Sequence, residues 1–346
     1  MKQTLIICSL LILITACTSE TNDIINEYTP EEAAYIEPVY EEAKTLDTSD
    51  ICPLKGVLLR NEYILEVEPI YISASFVHSF QHNPLLRGMS FEYGSVVIYS
   101  IRYTSDEYEV MGYVVAPADF MEREYPVLID GGSGSGGEGQ EVGTIRPTDF
   151  IHFALRGYIV LVSHYRGVAG GTGIEQFGGD EINDVLRLID ISESFGFAQQ
   201  SGVYMFGGSR GGMMAYIASR LDDRITAVAV YAGPSNAFDI FHERNFLQDT
   251  LIELIGGTPK ELPEEFERRS AVMWANEIQS PILIGHGDED IRVPVHHAIN
   301  MAEVLERYGL PHRLIIYTNA GHSCIEPFLD FLEEMDEWFK MHPIGE

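Results

Sequence analysis

Basic residues are scarce in this chain: 22 Lys and Arg stand against 53 Asp and Glu, a formal net charge of −31. Such a surface repels nucleic acid and anionic lipid headgroups, and no basic run offsets it, so no nucleic-acid partner is expected. Cysteine is rarer still. The four positions, Cys8, Cys17, Cys52 and Cys324, include no C-x-x-C spacing, which argues against a structural zinc site. A long apolar run is missing too, since the stretch from Leu5 to Ile14 is far too short to span a bilayer. No repeat of 20–50 residues is visible, so no repeat array is expected. What the chain does have is length and apolar content, 346 residues and 45% hydrophobic, enough to bury a substantial core as one large domain or two small ones.

The N-terminus reads as a processing segment. Lys2 precedes the short apolar run, and Ile14-Thr15-Ala16-Cys17 closes it, which is signal-peptide anatomy and resembles a bacterial lipobox. The expectation is a signal peptide over residues 1–16, cleavage before Cys17 and a lipid on its sulfur. The mature protein would then be anchored to a bacterial cell envelope, held at the membrane through the lipid alone. Thr18 stands where aspartate would signal inner-membrane retention, so an outer membrane is implied where the cell has one. Residues 17–90 form an N-terminal extension, an acidic tether to about residue 55 and then an unassigned, turn-rich stretch. With Cys8 removed and Cys17 acylated, Cys52 and Cys324 remain, either as a disulfide in an oxidising envelope or as two unrelated thiols.

From residue 91 the pattern sharpens. "SVVIYSIRYTS" and "YEVMGYVVAPA" alternate around a polar break, a hairpin signature. "YPVLID", "GYIVLVS", "GVYMFGG", "RITAVAVYAG", "PILIGHG" and "RLIIYTN" are short apolar runs of the kind buried in a parallel sheet. Helical stretches at 148–156, 180–195, 210–221, 295–308 and 325–340 separate them. This alternation predicts an α/β domain over 91–346, a mostly parallel central sheet with helices on both faces. Residues 234–280 break the rhythm with several helical pieces between two strands, either a lid-like insertion or plain helical decoration.

One serine stands out. In "YMFGGSRGGMMAY", Gly207-x-Ser209-x-Gly211 fits the nucleophile-elbow pattern, in which a strand turns sharply into a helix and presents the serine Oγ. In a chain with 32 Gly the match alone is weak, but it falls where "GVYMFGG" meets the helix "RGGMMAYIASRL", the context the motif requires. A serine nucleophile needs a general base, and the base needs an orienting carboxylate. Asp288 and Asp290 follow "PILIGHG", and His322 follows "RLIIYTNA", in the order and at the strand ends that this architecture uses. The oxyanion hole calls for two backbone N–H groups, and Arg210, after the serine, and Gly132, in the loop after "YPVLID", are the candidates. That loop also spells G-x-G-x-x-G over Gly132, Gly134 and Gly137. A dinucleotide site is disfavoured, because glycine and proline follow where a phosphate-binding helix should begin and the next strand ends at Ser163-His164 rather than at an acid. No metal or organic cofactor is implied.

Taken together, "YPVLIDGG", "SHYRG", "GGSRGG", "ERRSAVMWANEIQSPILIGHGDEDIRVPV" and "AGHS" make residues 95–340 resemble the catalytic domain of the prolyl oligopeptidase family, serine peptidases with the α/β-hydrolase fold. The resemblance implies Ser209 as nucleophile, Asp290 as triad acid, His322 as base, and Gly132 and Arg210 as oxyanion donors. The chain departs from the family in three ways. Asp130 stands where relatives usually carry histidine, and Arg210 replaces the commoner aromatic residue. Only about 75 residues separate Cys17 from the catalytic domain, too few for a propeller of even four blades at about 40 residues each. The family's hydrolase chemistry carries over, but its substrate gate does not. The first expectation is a peptidase working through an acyl-enzyme, the second a carboxylesterase on small or carbohydrate esters, and the third a non-catalytic envelope binding protein. An intact triad speaks against the third. Arg166 is expected to pair with Asp184 on the following helix and fix a loop, and Met273 and Trp274 to lie in the core or a pocket wall.

Overall fold

The computed structural model describes residues 53–70, 94–132, 147–196, 198–199 and 201–345. The signal segment, Cys17, Cys52 and the glycine-rich loop after Gly132 lie outside the described residues. The strands are β1 (Ile64–Pro69), β2 (Val96–Ser105), β3 (Tyr108–Pro117), β4 (Val127–Asp130), β5 (Ile159–Ser163), β6 (Val203–Gly208), β7 (Ile225–Tyr231), β8 (Ile282–Gly287) and β9 (His312–Tyr317). They form one sheet in the order β1-β2-β3-β5-β4-β6-β7-β8-β9. The hairpin half is antiparallel through the β3–β5 pair, and every pairing from β5 onward to β9 is parallel.

Burial explains the strand sequences. β4 and β5 are buried at every position, hence their apolar runs Val127–Ile129 and Ile159–Val162, because helices cover both faces of the sheet there. One face packs Ile129, Leu161, Met205, Val228 and Ile284 under α3 (Ile182–Glu193), α4 (Arg210–Leu221) and α9 (His296–Arg307). The other packs Leu128, Val160, Phe206, Ala229 and Leu283 under α2 (Ile151–Leu155) and α10 (Ile325–Met341). α10 buries Phe331, Leu332, Met335, Trp338 and Phe339, a single stripe at helical spacing.

Two differences from the sequence reading stand out. The fold reaches back past residue 91: α1 (Pro53–Leu58) and β1 belong to it, and β1 pairs antiparallel with β2 at the edge of the sheet. The segment "ILEVEP" hid this strand because an edge strand buries few positions and carries acidic residues on its open side. The 234–280 interval holds four short α-helices, α5 (Ala237–Glu243), α6 (Gln248–Ile255), α7 (Pro263–Glu267) and α8 (Ala271–Trp274), and two 3-10 turns at Asn245–Leu247 and Ala275–Glu277. It is tied down by its own core, in which Phe241 and Phe238 meet Phe266. Trp274 is buried there under the Arg220 guanidinium, while Met273 is exposed.

Candidate active site

β6 runs straight into α4 through Ser209, whose backbone (φ 53°, ψ −126°) lies outside the regions ordinary residues favour. Such a conformation costs about 1–3 kcal/mol and persists only where the surroundings enforce it. Here the Ser209 N–H donates to Tyr231 O at 2.9 Å, and the Gly212 N–H donates to Ser209 O at 2.9 Å. The glycines make the turn sterically feasible. A Cβ on Gly207 would overlap the Gly211 carbonyl, and one on Gly211 would overlap the carbonyl of Gly132 in the neighbouring loop. The motif's spelling therefore reflects two close backbone crossings.

The serine meets two side chains from later loops. Ser209 Oγ lies 2.9 Å from His322 Nε2, and His322 Nδ1 lies 2.7 Å from Asp290 Oδ2. Asp288, two residues earlier, is exposed, and its N–H donates to Tyr317 O, so Asp290 is the acid that reaches the histidine. Asp290 is held from several sides. Its Oδ1 accepts the N–H groups of Arg292 (2.8 Å) and Val293 (3.0 Å). His286, fully buried on β8, places Nε2 2.7 Å from Val293 O and 3.2 Å from Asp290 Oδ2. Because a carbonyl can only accept, His286 carries its proton on Nε2 and also directs it toward the acid. Burial alone would raise the Asp290 carboxyl. The hydrogen bonds from His286, His322 and Val293 outweigh it and hold the group well below the usual carboxylate range. Sequence reasoning missed His286; its only signal was a histidine inside an otherwise apolar strand.

The expected oxyanion donors fare differently. Arg210 opens α4, and N–H groups of a helix's first turn point out of its N-terminus toward developing negative charge. Gly132 needs correction. Its N–H donates to Asp130 Oδ1 at 2.7 Å, so in this conformation the neighbouring carboxylate holds it. Asp130 therefore matters beyond replacing a histidine. Burial, opposed by the Gly132 N–H and assisted by the Asp149 charge, pushes its carboxyl up to about 7.

The Arg210 side chain turns away from the serine into a buried ionic cluster. It binds Glu175 at 2.5 Å and Glu181 at 2.8 Å and lies over the rings of Tyr165 and Phe177. Glu181 also accepts the N–H groups of Gly178 and Gly179. An arginine at this position thus ties the elbow to the 165–181 loop. The same loop is anchored by Arg166, which grips Asp184 at 2.7 Å and Asp106 at 2.8 Å. The arginine–aspartate pair expected from the sequence is formed.

Glu243, at the end of α5, sits 2.5 Å from His296 Nε2 and 3.4 Å from His297 Nε2. The ligand-capable atoms of these three side chains lie within 4.8 Å of one another. The Ser235 N–H occupies the His297 Nδ1 lone pair, so the neutral ring carries its proton on Nε2, which faces Glu243. This chemistry suits a hydrogen-bonded latch between the insertion and α9 better than a metal site. Cys324, half-buried, forms no disulfide among the described residues, and its sulfur accepts the Gly321 N–H at 3.1 Å. Cys52, the other half of the expected disulfide, lies outside the described residues.

Residues 146–342 match the prolyl oligopeptidase family. A Bacillus subtilis (strain 168) protein named uncharacterized peptidase YtmA is 31% identical over 228 residues, which is 66% of this chain and 86% of YtmA. The acylamino-acid-releasing enzyme 1 of Oryza sativa subsp. japonica is 26% identical over 205 residues, 54% of this chain but 26% of that enzyme. Among solved structures, the acylaminoacyl peptidase of Pyrococcus horikoshii superposes with a TM-score of 0.62 at 20% identity, over 73% of this chain and 42% of that one, a likeness of fold. The chain thus spans most of YtmA but less than half of these larger relatives.

Proposed function

The chain belongs to the prolyl oligopeptidase family, and from that premise we propose that it is a serine peptidase working through Ser209, His322 and Asp290. The observation that carries these roles is the continuous hydrogen-bonded series from Asp290 through His322 to Ser209 Oγ. Ser209 attacks the peptide carbonyl while His322 Nε2 takes its proton. His322 then passes that proton to the leaving amine, and an acyl-enzyme remains. Water, activated by the same nitrogen, attacks the ester and restores the serine. Asp290, kept ionised by its donors, fixes the His322 ring with Nδ1–H facing it and stabilises the imidazolium. The Arg210 N–H at the head of α4 stabilises the oxyanion.

The test is active-site titration with a fluorophosphonate, followed by turnover of peptide and ester panels. Ser209→Ala should lose labelling, and kcat should fall about 10⁴–10⁶-fold, since nucleophile and base act as one unit. Labelling that survives at another serine overturns the assignment. Turnover of esters without any peptide cleavage would move the activity to a carboxylesterase.

We also propose that the chain is held at a bacterial envelope membrane by a lipid on Cys17. Support comes from the short apolar run that ends in Ile14-Thr15-Ala16-Cys17. No helix among the described residues is long and apolar enough to cross a membrane.

A further inference from the structure

Gly132 lies against the serine turn, yet its N–H is taken by a side chain of its own loop. We propose, building on the Ser209 acyl-transfer reading above, that Asp130 is a positioning residue for the oxyanion hole. Its ionised carboxylate withholds the Gly132 N–H, and its protonation releases that N–H to the developing oxyanion.

Three sets of contacts support this role. The first places Gly132 beside the nucleophile. A Cβ on Gly211 would overlap the Gly132 carbonyl, one on Gly131 would crowd the Gly211 carbonyl, and the Gly131 N–H donates to Phe206 O at 2.8 Å. The loop therefore lies directly against the turn that carries Ser209. The second set holds one peptide unit at both ends. The carbonyl of Gly131 and the N–H of Gly132 belong to the same planar trans group and point in opposite directions. The buried Tyr165 hydroxyl donates to that carbonyl, and Asp130 Oδ1 accepts that N–H at 2.7 Å. Tyr165 is itself backed by the Arg210 guanidinium, 4.6 Å from its ring. If Asp130 alone lets go, Tyr165 still fixes the plane and the N–H is free. The third set is the surroundings of the carboxyl, which is buried and forms no ion pair with a cation among the described residues. Its neighbours on β5 and β6, Val162 and Phe206, are apolar. The titratable groups that face it are Asp149, on the 3-10 turn Pro147–Phe150, and Tyr165, whose hydroxyl burial keeps protonated. Arg210, behind Tyr165, is taken up by Glu175 and Glu181. Burial therefore pushes the carboxyl up to about 7, with the Gly132 N–H pulling it down and the Asp149 charge adding to the rise. An ionised Asp130 opposes acyl transfer twice: it occupies the donor and sets a negative charge beside the oxygen that becomes negative. A neutral carboxyl does neither with comparable strength, since charge-assisted hydrogen bonds are roughly twice as strong as neutral ones.

The test compares wild type with Asp130→Asn and Asp130→Ser, neither of which titrates at this position. The rate of fluorophosphonate labelling, and kcat and KM on one ester or peptide, are measured from pH 5.5 to 8.5 and expressed per titratable serine. Protonation of the triad is common to all three proteins and cancels in the ratio of variant to wild type. That ratio should rise by about tenfold in kcat over this range, inside the roughly 10²–10³ that one oxyanion donor is worth, with KM little changed. Labelling rates should rise alike, because the phosphonyl oxygen occupies the same hole. A purely structural Asp130 would change the melting temperature and the amount of titratable serine but not the pH dependence of the rate per serine. A ratio that stays flat or falls with pH in both variants, or a rise carried by KM alone, overturns the role of Asp130 and leaves the acyl-transfer reading standing. Wild-type labelling at a serine other than Ser209 would defeat that reading and this role with it.

Discussion

Asp130 provides a stability test that needs no substrate. It ends β4, is 4% exposed, and accepts the Gly132 N–H at 2.7 Å. Its carboxyl is pushed up to about 7, chiefly by burial, with Gly132 pulling it down and Asp149 adding to the rise. In the unfolded chain an aspartate titrates near 3.9. The folded group therefore holds its proton over about three pH units in which the unfolded group has lost it. At about 1.4 kcal/mol per unit, this amounts to up to about 4 kcal/mol. The sign follows from the raised value: the stabilisation is fully present below pH 4 and is lost as pH rises through 7, where the fold must carry a buried charge. Asp130→Asn keeps the size of the side chain and an oxygen for Gly132 but removes the titration. Urea unfolding of both proteins at pH 4.5, 6, 7 and 8 should give a difference that grows with pH, with the variant more stable at pH 8 by a few kcal/mol. Comparing the two proteins cancels the other carboxylates. A difference that stays flat from pH 4.5 to 8, or that favours wild type as pH rises, would refute the reasoning and mean that Asp130 is ionised throughout.

Three further outcomes are expected. Asp290→Asn should cost kcat about 10⁴-fold with the fold intact, because His322 loses the group that sets its tautomer; Asp288 is exposed and it is Asp290 that bonds the histidine, so Asp288→Asn should cost only a few-fold, and the reverse ranking on one substrate would displace Asp290. Asp184→Asn leaves the Arg166 guanidinium buried with Asp106 as its remaining ion-pair partner and should destabilise the fold by about 3 kcal/mol in urea unfolding; a change within experimental error would show that this pair does not hold the loop. Cys17→Ser should release the protein from membranes or block its processing in cell fractionation, and an unchanged integral-membrane distribution would remove the lipid-anchor proposal.

Some of the site was legible early because its signals are local. The Gly-x-Ser-x-Gly spelling records close backbone crossings within five residues, and the apolar run before it marks the strand that leads into the turn. His322 was found through its place after a strand, which left Asp288 and Asp290 both open as the acid until the family resemblance favoured Asp290, and Arg166 with Asp184 through a loop that must be tied to the next helix. Other features gave no comparable signal. The edge strand β1 buries too little to show a clear alternation. His286 looked like any residue in an apolar strand until the acid loop folded back over it.

Local chemistry along the chain determined which segments become buried strands, which become helices, and where a strained serine turn can form, because periodicity and glycine placement act over a few residues. Only the tertiary structure decided how the charged groups were matched. Arg210 meets Glu175 from 35 residues away, Gly132 gives its N–H to Asp130 rather than to a substrate oxygen, and Arg166 reaches Asp106 from 60 residues away. These pairings depend on distance and burial in three dimensions. The strength of an electrostatic interaction is set by separation and local dielectric, and a linear sequence specifies neither.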